Sequence, residues 1–434
     1  LNIFKFLTGL PFILALVQTF CIFSLVATPL FAEENQAINL QQALDAAIKN
    51  NPELAGFSFE IQAAEARSLQ ASLRPNPELE AEVENISGNL PGAHRSETTV
   101  GIRQLFELGG KRPTRIKKAG AELELLRRDY EALHLNLVSD ITRAFITLQG
   151  MQKRLELTRE GYRIASLLAS SVAERVAVGA VSPIEETRAR VALAFASTDV
   201  ERALKEVEEV RQELSKAIGF TAPFFSTAVG ELRDEVVIPD LNVLERRLTR
   251  NPDLTRWEME RNTRDAALAV ERSMAIPDVS FFGAFRRINE STENTLVMGL
   301  TIPLPAFNRN QGAIREAASA LSKTEQERRA TEVKLRTQLA QRYSSLASSL
   351  KEVRALREVA LVGAQRAYDA VREGYNLGKF RYLDVLDTGK ALIESKLRFV
   401  DALVALNVAK IDLERLVAGP LEPEINTLSE KQEK

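Results

Sequence analysis

Cysteine is nearly missing from this 434-residue chain: the single one, Cys21, lies inside an apolar N-terminal run. From residue 33 onward there is no thiol, so a disulfide framework, a thiolate metal site and cysteine chemistry are excluded there. Histidine is almost as scarce. His94 and His134 stand far apart with no cysteine near either, which is not a recognisable metal site. Charge of one sign is lacking as well. With 57 basic against 59 acidic residues, the chain offers no polyanion-binding surface, so nucleic acid is not an expected partner. Past residue 31 no stretch is long and apolar enough to span a membrane as a helix. A chain of this kind that does span a membrane must do so as a closed β-barrel. No nucleophile, metal or phosphate-binding constellation stands out, so neither an enzyme nor a cofactor is expected.

What is there speaks for helices. Glycine (21) and proline (16) are sparse, whereas Ala, Leu, Glu, Arg and Lys dominate, and 45% apolar residues are ample for a core. At the N-terminus, Lys5 precedes an apolar run from Phe6 to Phe31, and Ala32 is followed by Glu33 and Glu34. This reads as a secretory signal peptide over residues 1–32, cleaved near Ala32. An uncleaved anchor is the alternative, weakened by Pro11 and Pro29 within the run. Cys21 follows Phe20, where lipidation would need a small residue.

The chain repeats itself. Asn51-Pro52-Glu53-Leu54 returns as Asn251-Pro252-Asp253-Leu254, and Pro77-Glu78-Leu79 as Pro277-Asp278-Val279. The stretch Gly101–Leu108 returns as Gly299–Pro305, Val178-Gly179 as Leu377-Gly378, and Ala217-Ile218-Gly219 as Val417-Ala418-Gly419. Five anchors in one order at a nearly constant offset indicate tandem duplication. The expected organisation is a first repeat over 33–220, a linker over 221–239, a second repeat over 240–419 and a polar tail over 420–434.

Each repeat has the same internal order: a helical segment (39–74 and 240–275), two alternating runs, and two long helices separated by a glycine-containing break. Leu126, Tyr130, Leu133, Leu137, Ile141, Ala144, Leu148, Met151 and Leu155 recur at spacings of three and four. No proline falls between Thr114 and Ser182, so one helix of ~65 residues would reach roughly 100 Å. The second repeat does the same from Gln311 to about Asn376, with Leu335, Leu339, Tyr343, Leu346, Leu350 and Val353 on one face. Helices this long with a narrow stripe pack as coiled coils.

The alternating runs predict strands over 77–86, 97–108, 277–287 and 294–304. Each is about the length a tilted strand needs to cross a bilayer. Four strands cannot close a barrel, and an open edge is untenable in lipid, so a barrel would pool strands from several chains, the smallest with a usable lumen taking twelve strands from three. A soluble four-stranded sheet is the alternative at this point.

Over nearly all of the chain after residue 32, this order resembles the TolC-like outer-membrane efflux proteins. Leu40-Gln41-Gln42-Ala43-Leu44 with Asn50-Asn51-Pro52-Glu53-Leu54 resembles their opening helix. Gln104-Leu105-Phe106-Glu107-Leu108-Gly109-Gly110-Lys111-Arg112 resembles a stretch of the CzcC-like branch, associated with heavy-metal cation export. Tyr375-Asn376-Leu377-Gly378 and Tyr382-Leu383-Asp384-Val385-Leu386-Asp387 resemble a periplasmic hairpin tip. The resemblance implies a mainly α fold with a small β part. It further implies a homotrimer whose twelve-stranded β-barrel in the outer membrane continues into a helical tunnel in the periplasm. The implied partners are outer-membrane lipid, a periplasmic membrane-fusion adaptor and an inner-membrane proton-driven transporter.

The expected sites follow. Asp384, Asp387 and Tyr375 match the residues that close the periplasmic end in the family, and no basic residue aligns just after the tip glycine. The first tip has Glu185 and Arg188 where the second has the aspartates, which points to the second hairpin as the gating one. Gly179, Ser182 and Pro183 in the first tip, with Gly378, Lys379 and Arg381 in the second, are the expected adaptor-docking residues. If Leu79, Ala81 and Val83 face lipid, then Glu78, Glu80, Glu82 and Glu84 face the lumen and attract cations; solvated charge at the membrane rim is the alternative. The function expected is a passive exit duct of a tripartite pump, for heavy-metal cations. The same fold serving organic solutes or a secreted protein is one rival, and a periplasmic coiled-coil adaptor without a pore is another.

Overall fold

A computed structural model describes residues 36–86 and 95–421. The expected signal segment, His94 and nearly all of the polar tail lie outside the described residues. The chain opens with a two-residue strand β1 (Ala37–Ile38), then α1 (Leu40–Asn50) and α2 (Pro52–Ser72). The stretch read as one helical segment is two helices, because Asn51 takes an extended backbone and Pro52 brings no N–H to continue the ladder. Asn39 starts α1 in a reciprocal cap with Gln42, and the Asn51 side chain accepts from the backbone N–H groups of Glu53 and Leu54.

Two strands follow, β2 (Glu78–Glu84) and β3 (Glu97–Phe106), then α3 (Lys111–Ala177) and α4 (Pro183–Ile218). At 67 residues, α3 is about 100 Å long at ~1.5 Å per residue. The connecting segment carries β4 (Thr227–Ala228), which pairs in parallel with β1 and so fastens the connection between the repeats to the start of the chain. The second repeat gives α5 (Leu241–Leu248), α6 (Pro252–Met274), β5 (Val279–Ile288), β6 (Glu293–Thr301), α7 (Gln311–Ala355), α8 (Leu361–Asn376) and α9 (Tyr382–Leu416).

Between α7 and α8, residues Leu356–Ala360 form a single π turn, so the helix expected to be continuous carries one inserted residue. Arg357 on that turn pairs with Asp234 at 2.8 Å and with Glu235 at 3.3 Å, both in the connection between the repeats.

Three buried clusters hold the helices together. One gathers Leu335, Leu339, Leu346, Leu350 and Val353 of α7 against Leu406 and Leu413 of α9. A second joins Ile141, Phe145 and Leu148 of α3 to Leu214 and Ile218 of α4. The third, near the tips, joins Val172 of α3 to Tyr368, Tyr375, Tyr382 and Val385. The upper part of the α3 stripe, including Tyr130, Leu133 and Leu137, is only half-buried.

The duplication is visible in one recurring clip. Asn51 donates through Nδ2 to the Ala217 carbonyl at the end of α4, and Asn251 to the Leu416 carbonyl at the end of α9, at 3.1 and 2.7 Å. Each asparagine caps one helix start and satisfies one helix end at once. Asn251 is fully buried. Asn251→Ala is expected to cost about 2 kcal/mol, the loss of a cap plus an orphaned carbonyl. Asn39→Ala, at an exposed cap, should cost about half as much. Thermal unfolding in detergent followed by circular dichroism checks the order.

The strands form one antiparallel sheet in the order β2-β3-β5-β6. The central β3–β5 pairing joins the two repeats, with Gly101 opposite Ala284 and Ile102 opposite Gly283. Among the described residues, β2 and β6 each leave one edge unpaired.

Candidate functional site

Pairing register separates the two faces of the sheet. One carries Leu79, Ala81, Val83, Val100, Ile102, Phe281, Phe285, Leu296, Met298 and Leu300. These side chains are largely open to the surroundings, with Leu79 78%, Phe285 73% and Met298 67% exposed. An apolar face of this size without cover is what a lipid-facing barrel wall requires. The opposite face carries Glu78, Glu80, Glu82, Glu84, Glu97 and Glu293, together with Arg103 and Arg286.

The arginines change the reading of the acidic strand. Arg103 reaches the Glu80 carboxylate with Nε at 3.1 Å and Nη2 at 2.8 Å and lies over the Phe282 ring. Arg286 pairs with Glu84 at 3.1 Å and Glu97 at 2.9 Å. Glu78 and Glu82 make no ion pair among the described residues. Six carboxylates against two guanidinium groups still leave this face strongly negative, but among the described residues the unpaired charge sits at Glu78 and Glu82 on β2 and at Glu293 on β6 rather than evenly along β2. Both arginines fall in the alternation phase opposite Val100, Ile102, Phe281 and Phe285, a signal already present in the sequence.

Where the sheet meets the long helices, Gly109 and Gly110 take left-handed conformations, with φ of 67° and 74°. A Cβ on Gly109 would stand 2.7 Å from the Ile276 side chain, which reserves the position for glycine. Lys111, almost fully buried, pairs with Asp278 at 2.6 Å, and the same Asp278 oxygen accepts the Leu108 N–H at 3.0 Å. Arg112 donates to the Ser72 carbonyl at 2.6 Å, and Arg115 pairs with Glu107. The polar groups of this stretch are therefore engaged within the chain: Lys111 and Leu108 lock the end of β3 and the start of α3 to the second repeat, and Arg112 and Arg115 brace the joint within the first.

At the other end, each hairpin tip closes with a glycine at positive φ, Gly179 at 71° and Gly378 at 75°. Ala180 N–H bonds to Arg175 O and Lys379 N–H to Gly374 O, the wider of the two closing bonds of a Schellman turn. Ser182 caps α4 with Pro183 at its first turn. Val178 and Leu377, one residue before each glycine, are both exposed. Lys379 is exposed as well. Arg381 is engaged within the chain: its backbone N–H donates to Asp384 at 2.9 Å and its guanidinium to the same carboxylate at 3.5 Å. Glu185 and Arg188 form an i,i+3 pair on α4.

The second tip holds the gate candidates. The Arg381 backbone N–H and guanidinium hold the Asp384 carboxyl below its ordinary value near 3.8. A depressed folded-state value means that this contribution to stability is complete above the unfolded value and disappears as pH falls through the folded one. In a pH titration followed by NMR, Asp384 is expected to remain ionised below pH 3.8 and to move only part of the way up in Arg381→Ala, because the backbone N–H that contributes most is retained.

Asp387 is exposed, whereas Tyr375 is buried against α3, its ring under the Arg175 guanidinium at 4.2 Å and its hydroxyl 3.5 Å from Ser171. Burial raises the Tyr382 phenol, with further contributions from Glu185, Tyr375 and Asp387. Arg175 has no counterpart among the sequence-derived candidates. It sits in the last turn of α3, and only packing brings it to Tyr375, 200 residues away.

Among the described residues, no group of three His, Cys, Asp or Glu side chains could hold a metal ion, and no helix is long and apolar enough to cross a membrane.

A sheet with one lipid-compatible and one charged face, set on paired helices of roughly 100 Å, defines a membrane channel subunit. The outer membrane efflux protein family matches residues 43–220 and again 243–419. The chain belongs to that family, whose members are outer-membrane efflux channels rather than enzymes. It is 30% identical to the cobalt-zinc-cadmium resistance protein CzcC of Cupriavidus metallidurans over 90% of this chain and 92% of that protein. The nickel-cobalt-cadmium resistance protein NccC of Alcaligenes xylosoxydans is 27% identical over 66% of this chain and 64% of that protein. Among solved structures, the fold is shared with CusC at a TM-score of 0.75, 18% identity, covering 89% of this chain and 94% of that one. VceC of Vibrio cholerae superposes with a TM-score of 0.72 at 16% identity, covering 88% and 97%. Membership of this family sets aside the reading as a coiled-coil adaptor without a pore.

Proposed function

We propose that three copies of this chain form the outer-membrane exit duct of a tripartite pump for heavy-metal cations. The unpaired edges of β2 and β6 support closure between copies, because an open edge in lipid would leave its backbone groups without partners. Four strands per copy then make a twelve-stranded barrel, with the acidic face inward and the apolar face in lipid. The cargo reading rests on that inward face and on the relatives named for cobalt, zinc, cadmium and nickel resistance. A duct lined by excess carboxylate raises the local concentration of cations without binding them tightly, which suits an ion that must leave.

At the periplasmic end, Asp387 contributes an open carboxylate near the axis, Asp384 serves mainly as the cap of α9, and Tyr375 holds the second hairpin closed against Arg175. The tips around Gly179, Ser182 and Pro183, and around Gly378, Lys379 and Arg381, dock a periplasmic membrane-fusion adaptor. That adaptor connects the duct to a proton-driven transporter of the inner membrane.

The observation that carries the cargo reading is the uncompensated pair of glutamates on β2, Glu78 and Glu82. In planar bilayers under a salt gradient, the parent channel is expected to be cation-selective. Glu78→Gln with Glu82→Gln should lower the cation-to-anion permeability ratio severalfold, more than Glu80→Gln, whose loss also frees Arg103. Identical reversal potentials for parent and double variant would sink the lumen assignment.

A further inference from the structure

We propose that the segment from Ile302 to Arg309, between β6 and α7, is a lipid-contacting foot that seats the barrel in the periplasmic leaflet of the outer membrane. This rests on the barrel reading above, and its occupant is the phospholipid interface. The argument begins with height. The apolar face consists of four rows across the sheet, from Val100, Phe285 and Leu296 at one end to Phe106 and Val279 at the other. Four rows two residues apart span ~20 Å of strand axis at ~3.3 Å per residue, and a tilt near 40° reduces that to ~15 Å. The apolar band of an outer-membrane barrel is about 25 Å tall. No extension is available at the far end, where the next row is Val83, Thr98, Arg287 and Asn294. The missing thickness must be supplied on the helical side.

The foot supplies part of it. Ile302 lies level with Phe106 and Val279, and Leu304 continues the outward alternation of Leu296, Met298 and Leu300 one row further, adding about 5 Å of height before Phe307 follows in the chain. Leu304 is 85% exposed and Phe307 94%. Such exposure in water would be costly for a loop this short, and the continuity of the row with the lipid-facing wall identifies what covers it.

The backbone is also prepared for lipid. Pro303 and Pro305 carry no N–H. Ala306 N–H bonds to Leu304 O at 2.8 Å, and Asn310 N–H to the Asn308 side chain at 3.0 Å. Gln311 accepts the Arg309 N–H at 2.8 Å and donates to Phe307 O at 3.1 Å. This satisfaction is partial, since the N–H groups of Leu304, Phe307 and Asn308 have no partner among the described residues, which suits the headgroup level rather than the hydrocarbon core. Arg309 donates its Nε to Pro305 O at 3.2 Å. That bond ties the guanidinium to the backbone of the foot, two residues from Phe307 in the chain, with its other nitrogens unpartnered among the described residues, a pairing of aromatic and cation that suits the acyl boundary and the phosphate level. The corresponding joint of the first repeat has Gly109, Gly110 and a nearly buried Lys111 after Leu108, with no counterpart of Phe307.

Tryptophan fluorescence in bromolipid vesicles tests the foot. Trp257 is the only tryptophan, so Trp257→Phe gives a dark background into which Phe307→Trp or Phe285→Trp is placed. Trp at 307 is expected to be quenched at least twofold more by bromines near the headgroup than by bromines near the chain ends, and Trp at 285 to show the reverse. Quenching at 285 without any at 307 would overturn the foot while leaving the barrel standing. Absence of quenching at both would overturn the barrel reading itself. With bromines carried on phosphatidylglycerol or on phosphatidylcholine, Trp at 307 should report enrichment of the anionic lipid, lost in Arg309→Gln. Equal quenching by the two lipids in the parent would remove the arginine from the proposal.

Discussion

Asp278→Ala is expected to destabilise the protein by about 3–5 kcal/mol, the range for removing one partner of a buried ion pair. Lys111 would be left nearly buried and uncompensated, and the Leu108 N–H would lose its acceptor. The damage should be mechanical as well as thermodynamic, since Asp278 lies just before β5 and Lys111 opens α3, so the pair joins the repeats where the sheet becomes helix. Replacing both partners, Lys111→Met with Asp278→Leu, should recover most of the loss, because no unpaired charge then remains. Thermal unfolding in detergent separates the cases. Equal destabilisation by the single and double variants would show that shape, and not charge pairing, holds the joint.

Gly101→Val should prevent assembly of the sheet. An added Cβ would fall 2.6 Å from the Gly283 carbonyl oxygen and 2.9 Å from the Ala284 Cα, both backbone atoms of the paired strand. Overpacking that only side chains must absorb costs about 1–3 kcal/mol, but backbone can yield here only by breaking the β3–β5 ladder, the one sheet pairing that crosses between the repeats. The internal control is Gly283→Ala, where the nearest neighbour is a Phe281 ring atom at 3.8 Å. In semi-native electrophoresis after membrane extraction, Gly283→Ala should retain the slow, heat-sensitive oligomer band and Gly101→Val should lose it. Survival of the band in Gly101→Val would mean that the strands can slide or bulge to admit the side chain.

The resemblance and the periodicity together led from the sequence to the right family and the right class of fold, for physical reasons that differ by element. The strict alternation from Glu78 to Glu84 needs no partner to be legible, because side chains in a strand point to opposite faces whatever lies beside it. The long stripes of α3 and α7 were legible for the same local reason. The break at Asn51 and Pro52 was also written in the sequence, although the segment was read through it. The π turn at Leu356–Ala360 was not legible: one inserted residue leaves no compositional mark, and its Arg357 is tied to acids some 120 residues away. The Gly109-Gly110-Lys111-Arg112 stretch resembles a metal-export branch, yet its side chains serve the joint.

What the sequence determined by itself was the duplication, the helical and strand periods, and which side of each strand is apolar. These depend on neighbours within a few residues along the chain. Tertiary structure alone decided which carboxylates keep their charge uncompensated and that Arg175 meets Tyr375. The first depends on strand register, where a shift of one residue would exchange the partners, and the second on the packing of helices from different repeats.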